Sequence, residues 1–200
     1  RAFSHLGAMP NSPQYHELLA TIHSGGGDAA GAAAEWQKAL KLAPNDPAIT
    51  EKLATALIET KNFNAALPLV ERLRRLEPDS PGISYLLGHL LLSQQEPVKA
   101  IPPLIEAVRR DPGLLRAQSS LAQAYLDTGQ SEKAIPHLKA ALPLDADGSL
   151  HYQLARAYAA AGERALSQKM LAAYQTLHQA EQKQAGELKQ EIQIKPPAPN

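Results

Sequence analysis

Apolar residues along this chain recur at i, i+3, i+4 and i+7, the spacing that gathers side chains onto one face of an α-helix. The stripe restarts at a fixed interval. Pro10, Pro44, Pro78 and Pro112 stand 34 residues apart, and Ala32, Ala66, Ala100 and Ala134 keep the same step. Counted from Pro13, Pro47, Pro81 and Leu115, the seventh place holds Leu19, Leu53, Leu87 and Leu121. The eighth is always small, with Ala20, Ala54, Gly88 and Ala122. The eleventh reads His23, Leu57, Leu91 and Tyr125, and the twenty-fourth Trp36, Val70, Leu104 and Leu138. A fifth copy opens one residue early, with Leu154, Ala155, Tyr158 and then Gly162. Small residues at the eighth and twentieth places let two helix backbones approach. The stripe is more than one hairpin can bury, so neighbouring hairpins must stack.

Local signals mark the helix ends. Ser12-Pro13, Asp46-Pro47 and Ser80-Pro81 each read as an N-cap followed by proline at the first helical position. Pro44, Pro78 and Pro112 stop the helix before them. Pro68, Pro102 and Pro136 share one register place early in the second helix of repeats 2 to 4. A proline is tolerated in a first turn, whose N–H groups lack intrahelical partners, so those helices should begin only a few residues earlier. Gly25-Gly26-Gly27 stands in place of the usual short turn of the first hairpin and predicts the loosest of the turns.

With its large residue, Leu, small residue and Tyr on a first helix, then Ala, a large apolar residue and Pro, the pattern resembles the tetratricopeptide repeat (TPR) family. Leu121-Ala122-Gln123-Ala124-Tyr125, followed by Gly129 and Ala134, matches it best, and the resemblance covers roughly residues 13 to 180. It implies an all-α fold: a right-handed superhelical solenoid of antiparallel helix pairs with an extended C-terminal capping helix. The expected organisation is a second helix of a truncated preceding repeat at 1–12, then repeats at 13–46, 47–80, 81–114, 115–147 and 148–180. The last repeat lacks the closing proline, so its second helix should run from about Ala165 to about residue 193 as a cap. Leu188 and Ile192 form a final i, i+4 pair near a frayed end, and the Pro-rich tail 194–200 is too proline-rich for helix.

Composition narrows the function. Ala and Leu dominate over β-branched residues, which favours helix. The 20 basic and 20 acidic side chains are interspersed and sum to zero, which argues against nucleic acid as a partner. No apolar run approaches the roughly 18 residues of a membrane span, so membrane insertion is not expected. With no cysteine, disulfides, thiolate metal sites and a Cys nucleophile are excluded, while the compartment stays open. There is no signal-peptide pattern, and the start at Arg1 reads as that of a mature, trimmed or excised chain.

No constellation for chemistry emerges. His16 and His23 share a helical face without a third ligand and read as packed or hydrogen-bonded rings, and no His-Glu-x-x-His spacing occurs. His89 and His151 fall on first helices, and His137 and His178 on expected surface positions. Ser24-Gly25-Gly26-Gly27-Asp28 lacks the Gly-Lys-Ser/Thr ending of a phosphate loop. Trp36 stands at a core place. No catalytic residue, cofactor or metal site is expected.

What remains is binding. The family resemblance implies that first helices line a concave face, with inward residues at the second, fifth, ninth and twelfth places. These give Glu51 and Thr55; Tyr85, His89 and Leu92; Arg116, Ser119 and Gln123; Tyr152 and Arg156. Such a mixture suits an extended peptide or a partner helix, with Tyr and Arg as anchors. The Lys and Asn of the family's chaperone-binding carboxylate clamp are replaced at the fifth and ninth places by Glu17 and Thr21, Glu51 and Thr55, and Tyr85 and His89, so that partner is not expected. Three readings follow: an adaptor that assembles other proteins, as in a bacterial envelope or secretion complex; the regulatory or substrate-docking array of a larger enzyme; or an oligomerisation module using the C-terminal helix.

Overall fold

The computed structural model describes the backbone of residues 11–194, with side chains to Ala180 and at Gln182 and Lys183. The expected half-repeat at the N-terminus, the side chains of Leu188 and Ile192, and the tail beyond residue 194 lie outside the described residues. Among the described residues, ten α-helices alternate as first and second members of five hairpins: α1 (Pro13–Gly25) and α2 (Ala29–Leu42), α3 (Pro47–Glu59) and α4 (Phe63–Leu76), α5 (Pro81–Ser93) and α6 (Pro97–Arg110), α7 (Leu115–Asp127) and α8 (Ser131–Ala141), α9 (Ser149–Ala160) and α10 (Arg164–Ile194). A short 3-10 turn, Leu142–Leu144, follows α8. There is no strand in that span. The chain divides into two compact units, Arg1–Leu114 and Leu115–Asn200.

The expected caps are in place. Ser12 Oγ accepts from the Tyr15 N–H, Asp46 from the Ala48 and Ile49 N–H groups, and Ser80 Oγ from the Ile83 N–H, each ahead of a proline at the first helical position. The turns inside the hairpins are five copies of one closure. In the second hairpin the N–H of Thr60 bonds the Ala56 carbonyl, that of Lys61 the Ile58 carbonyl and that of Asn62 the Leu57 carbonyl. The same three bonds recur at Gly26 to Asp28, Gln94 to Glu96, Thr128 to Gln130 and Ala161 to Glu163. The bond reaching back five residues identifies a Schellman ending, which needs one left-handed residue. That residue is Gly27, Lys61, Gln95, Gly129 and Gly162, with φ of 76°, 58°, 62°, 74° and 81°. The triple glycine therefore does not replace the usual turn. α1 continues through Gly25, and Gly27 fills the place where two other hairpins carry a strained Lys61 or Gln95.

Pro68, Pro102 and Pro136 lie deeper than a first turn. Each is the sixth residue of its helix, so the carbonyls of Asn64, Val98 and Glu132 lose their intrahelical donor. All three of those residues are exposed, and water can serve the freed carbonyls.

In the first unit, Ala20, Trp36, Ala39, Ile49, Leu53 and Ala56 form one cluster, and Ala54, Val70, Leu73, Leu86 and Leu90 another. In the second, Leu121, Leu138, Leu150 and Leu154 are buried with a lining of alanines. Arg72 donates to the Pro44 carbonyl at 2.7 Å and Arg110 to the Pro78 carbonyl at 2.9 Å, so a second helix grips the loop through which the previous hairpin ends.

The fourth place of each repeat is polar yet sheltered. His16 Nδ1 meets Glu35 at 2.6 Å, Thr50 donates to the Asp46 carbonyl, and Gln118 meets His137 Nδ1 at 2.7 Å. His151 meets Asp145, whose side chain is wholly buried and also accepts the Leu150 and His151 N–H groups. His137 is thus no surface residue. It is half-buried and stacked on Tyr125 at 5.8 Å, and burial holds its imidazole below its ordinary value.

Candidate binding groove

The second unit opens a groove of about 610 Å³ between α7, α9 and α10. Its walls follow from the register. Gln123 is the ninth residue of its repeat and Asp127 lies one turn on; Tyr152 and Arg156 repeat that offset on α9. The third wall comes from α10, which brings Tyr174 and His178, four residues apart on one face.

Gly148 sets the approach of α10 to α9. Its φ is +85°, and a Cβ placed there would lie 2.9 Å from Tyr174 Cδ2 and 3.3 Å from the Tyr174 carbonyl oxygen. The absence of a side chain lets Tyr174 come within 5.4 Å of the Tyr152 ring, centroid to centroid. Tyr174 in turn stacks on His178 at 5.5 Å, which makes a continuous aromatic edge of three rings. His178 is half-buried on that edge, in place of the open surface its sequence position suggests.

The polar groups of the groove differ in how far they are engaged. Gln123 donates to Asp127 at 2.6 Å. Asp147 accepts the Ser149 N–H at 2.9 Å, and that bond keeps its carboxyl below the usual carboxylate range. Arg156 is exposed and makes no hydrogen bond or ion pair among the described residues. The groove therefore offers an unengaged guanidinium beside two tyrosine rings.

Of the ten inward residues expected from the sequence, the groove gathers Gln123, Tyr152 and Arg156. Arg116 and Ser119 share α7 with Gln123 but do not line it. Glu51, Thr55, Tyr85, His89 and Leu92 belong to the first unit, on α3 and α5. There, Thr55 Oγ1 is turned back onto the Glu51 carbonyl at 3.0 Å, and Tyr85 stacks on His89 at 5.7 Å and 19°. Leu92 is half-buried. Tyr174 and His178 are absent from the expected set. Their i, i+4 spacing is visible in the sequence, but a terminal helix reads as a cap until its partners are known.

Comparison with known proteins gives two kinds of match. A family model described as tetratricopeptide repeat matches residues 25–90 and 91–150, and a second of the same description matches 148–172. No curated protein matches the chain. Among solved structures, the thermophilic TPR protein TTC0263 of Thermus thermophilus superposes with a TM-score of 0.67 at 22% identity, covering 81% of this chain and 89% of its own. MamA from Desulfovibrio magneticus RS-1, from residue 41 to its end, gives 0.68 at 21%, covering 84% and 96%. These likenesses concern the fold.

Proposed function

Because the chain belongs to the tetratricopeptide repeat family, whose members generally bind proteins or peptides, we propose that it is a non-catalytic scaffold that holds a peptide or partner helix in the groove of α7, α9 and α10. The observation that carries this reading is the pairing of the unengaged Arg156 with the Tyr152–Tyr174 edge. An arginine fork takes a carboxylate or backbone carbonyls, and the rings offer rigid apolar area at little entropic cost. Gln123 and Ser149 add hydrogen-bonding groups at the rim. Among the described residues no helix is long and apolar enough to cross a membrane.

A displayed peptide library panned on the protein tests this reading. Peptides selected on the wild type should lose binding by about tenfold or more with Tyr152→Ala or Arg156→Ala, the size of an anchor contact. Selected peptides that bind both variants as tightly as the wild type would remove the groove from consideration. Peptides lost instead with Tyr85→Ala would move the site to α5.

A further inference from the structure

Two opposite charges of the groove stand one helical turn apart without meeting. Along α9, Tyr152, Arg156 and Ala160 follow at intervals of four residues, and on α7 Gln123 and Asp127 hold the repeat places of Arg156 and Ala160. Among the described residues no ion pair joins Arg156 to Asp127. Arg156 finds no carboxylate on its own helix, because the residues three and four places away are Tyr152, Gln153, Ala159 and Ala160. The partner of Asp127 is the neutral Gln123, at 2.6 Å. α7 and α9 both end at this level, and neither carries a basic residue in its last turn to meet the partial negative charge of a helix C-terminus. Lys133 lines an adjoining hollow that shares Ser131 and Ala160 with the groove, but it bonds Gln130 at 2.7 Å and lies over the Tyr125 ring. Asp147 differs from Asp127. It accepts the Ser149 N–H at the positive start of α9, so the helix offsets its charge.

Taking the groove as the binding site, we infer that its ligand is an extended segment of a partner protein with an acidic residue at its centre, a basic residue two positions to one side and an aromatic residue two positions to the other. The acid meets Arg156, the base meets Asp127, and the ring lies on the Tyr152–Tyr174 edge. The spacing follows from the two geometries. One turn of α9 rises about 6 Å, and alternate residues of an extended chain, which share a face, lie about 6.6 Å apart. Gln153 and Ser131 also line the groove, and their polar groups can bond the open N–H and C=O groups of an extended backbone, which a helix would keep for itself. A ligand charge of the wrong sign at either place would desolvate a like pair, so the order of charges sets which segments are admitted.

Panning a displayed library of random linear peptides on the full chain, and sequencing what is retained, reads the charge order directly. The pool should be enriched in an acidic residue with a basic and an aromatic residue two positions to either side. A selected peptide should bind the wild type at least about tenfold more tightly than its copy with the acid changed to Lys, and Arg156→Glu should reverse that preference. Asp127→Lys should reverse the preference for the base in the same way. The neutral changes Arg156→Gln and Asp127→Asn, on exposed side chains, should erase the two preferences and leave the thermal melt unchanged. Peptides that are lost with Tyr152→Ala yet lack the charge pair, or keep their preference through both reversals, would overturn this inference and leave the groove standing. An acid and a base four positions apart would overturn it too, since the occupant would then be a helix. Peptides indifferent to Tyr152→Ala, or no enrichment at all, would remove the groove and the charge order together.

Discussion

Gly88 and Leu104 are packed so closely that a Cβ on Gly88 would lie 2.4 Å from Leu104 Cγ. Leu104 is fully buried, so its branched end has little room to retreat. Gly88→Ala should therefore destabilise the protein by about 1–2 kcal/mol, because overpacking outweighs the roughly 1 kcal/mol that alanine gains over glycine in a helix. Chemical denaturation checks the sign. In a Leu104→Ala background the same change should turn neutral or stabilising, since the obstructing atoms are gone. A stabilised single variant would contradict the steric account.

Lys61 and Gln95 occupy the left-handed place that Gly27, Gly129 and Gly162 fill in the other turns. Lys61→Gly and Gln95→Gly should each stabilise by about 0.5–1 kcal/mol, the relief of left-handed strain less glycine's larger unfolded-state entropy. Each change should raise the denaturation midpoint, and the two should add, since they sit in separate turns. Lower midpoints in both would mean that these side chains make contacts worth more than the strain.

The Asp145 carboxylate, wholly buried between α8 and α9, accepts two backbone N–H groups and His151. Asp145→Ala should cost about 2–4 kcal/mol, because it strands buried donors as well as deleting bonds. Hydrogen exchange should show the loss concentrated at the start of α9. Protection there equal to wild type would show that the loop closes without the carboxylate.

Burial lowers the His137 imidazole below its ordinary value of 6.5, so the unfolded chain takes up a proton before the folded one does. Its contribution is fully present above pH 6.5 and is lost as pH falls through the lowered folded value. His137→Gln should flatten that part of the stability–pH curve. Glu106 acts further down. The Arg109 hydrogen bond, with Arg110 nearby, brings its carboxyl to about 2, so its contribution holds above about 4.5 and disappears as pH falls toward 2. Thermal melts of Glu106→Gln from about pH 5 to about pH 2 should lack the wild-type decline in that window.

The fold is legible because its determinants are local and repeated. Prolines and caps at 34-residue intervals state where helices start, and the small eighth and twentieth places state how they cross. The depth of Pro68, Pro102 and Pro136 is harder to read, since the sequence does not show that exposed carbonyls can turn to water. The expected inward residues follow from register alone, and register cannot say which helices enclose a space. Gly148 carries that information for the groove, yet its role depends on Tyr174, which is 26 residues away. His137 reads as a surface residue for a similar reason. Its partner Gln118 lies 19 residues back, and a polar pair inside a hairpin leaves no hydrophobic signature.

The hold of Arg72 on Pro44 and of Arg110 on Pro78 has a consequence for how the first unit comes apart. Each clasp ties a hairpin to the loop that ends its predecessor, so loosening of either partner frees the other. If α6 frays, Pro78 is released and the end of α4 loosens next, while loss of α1 leaves both clasps shut. Nearest-neighbour coupling of this kind makes each inter-hairpin loop of the unit as durable as the second helix that holds it, so a protease cut at Pro44 or Pro78 should follow the opening of α4 or α6.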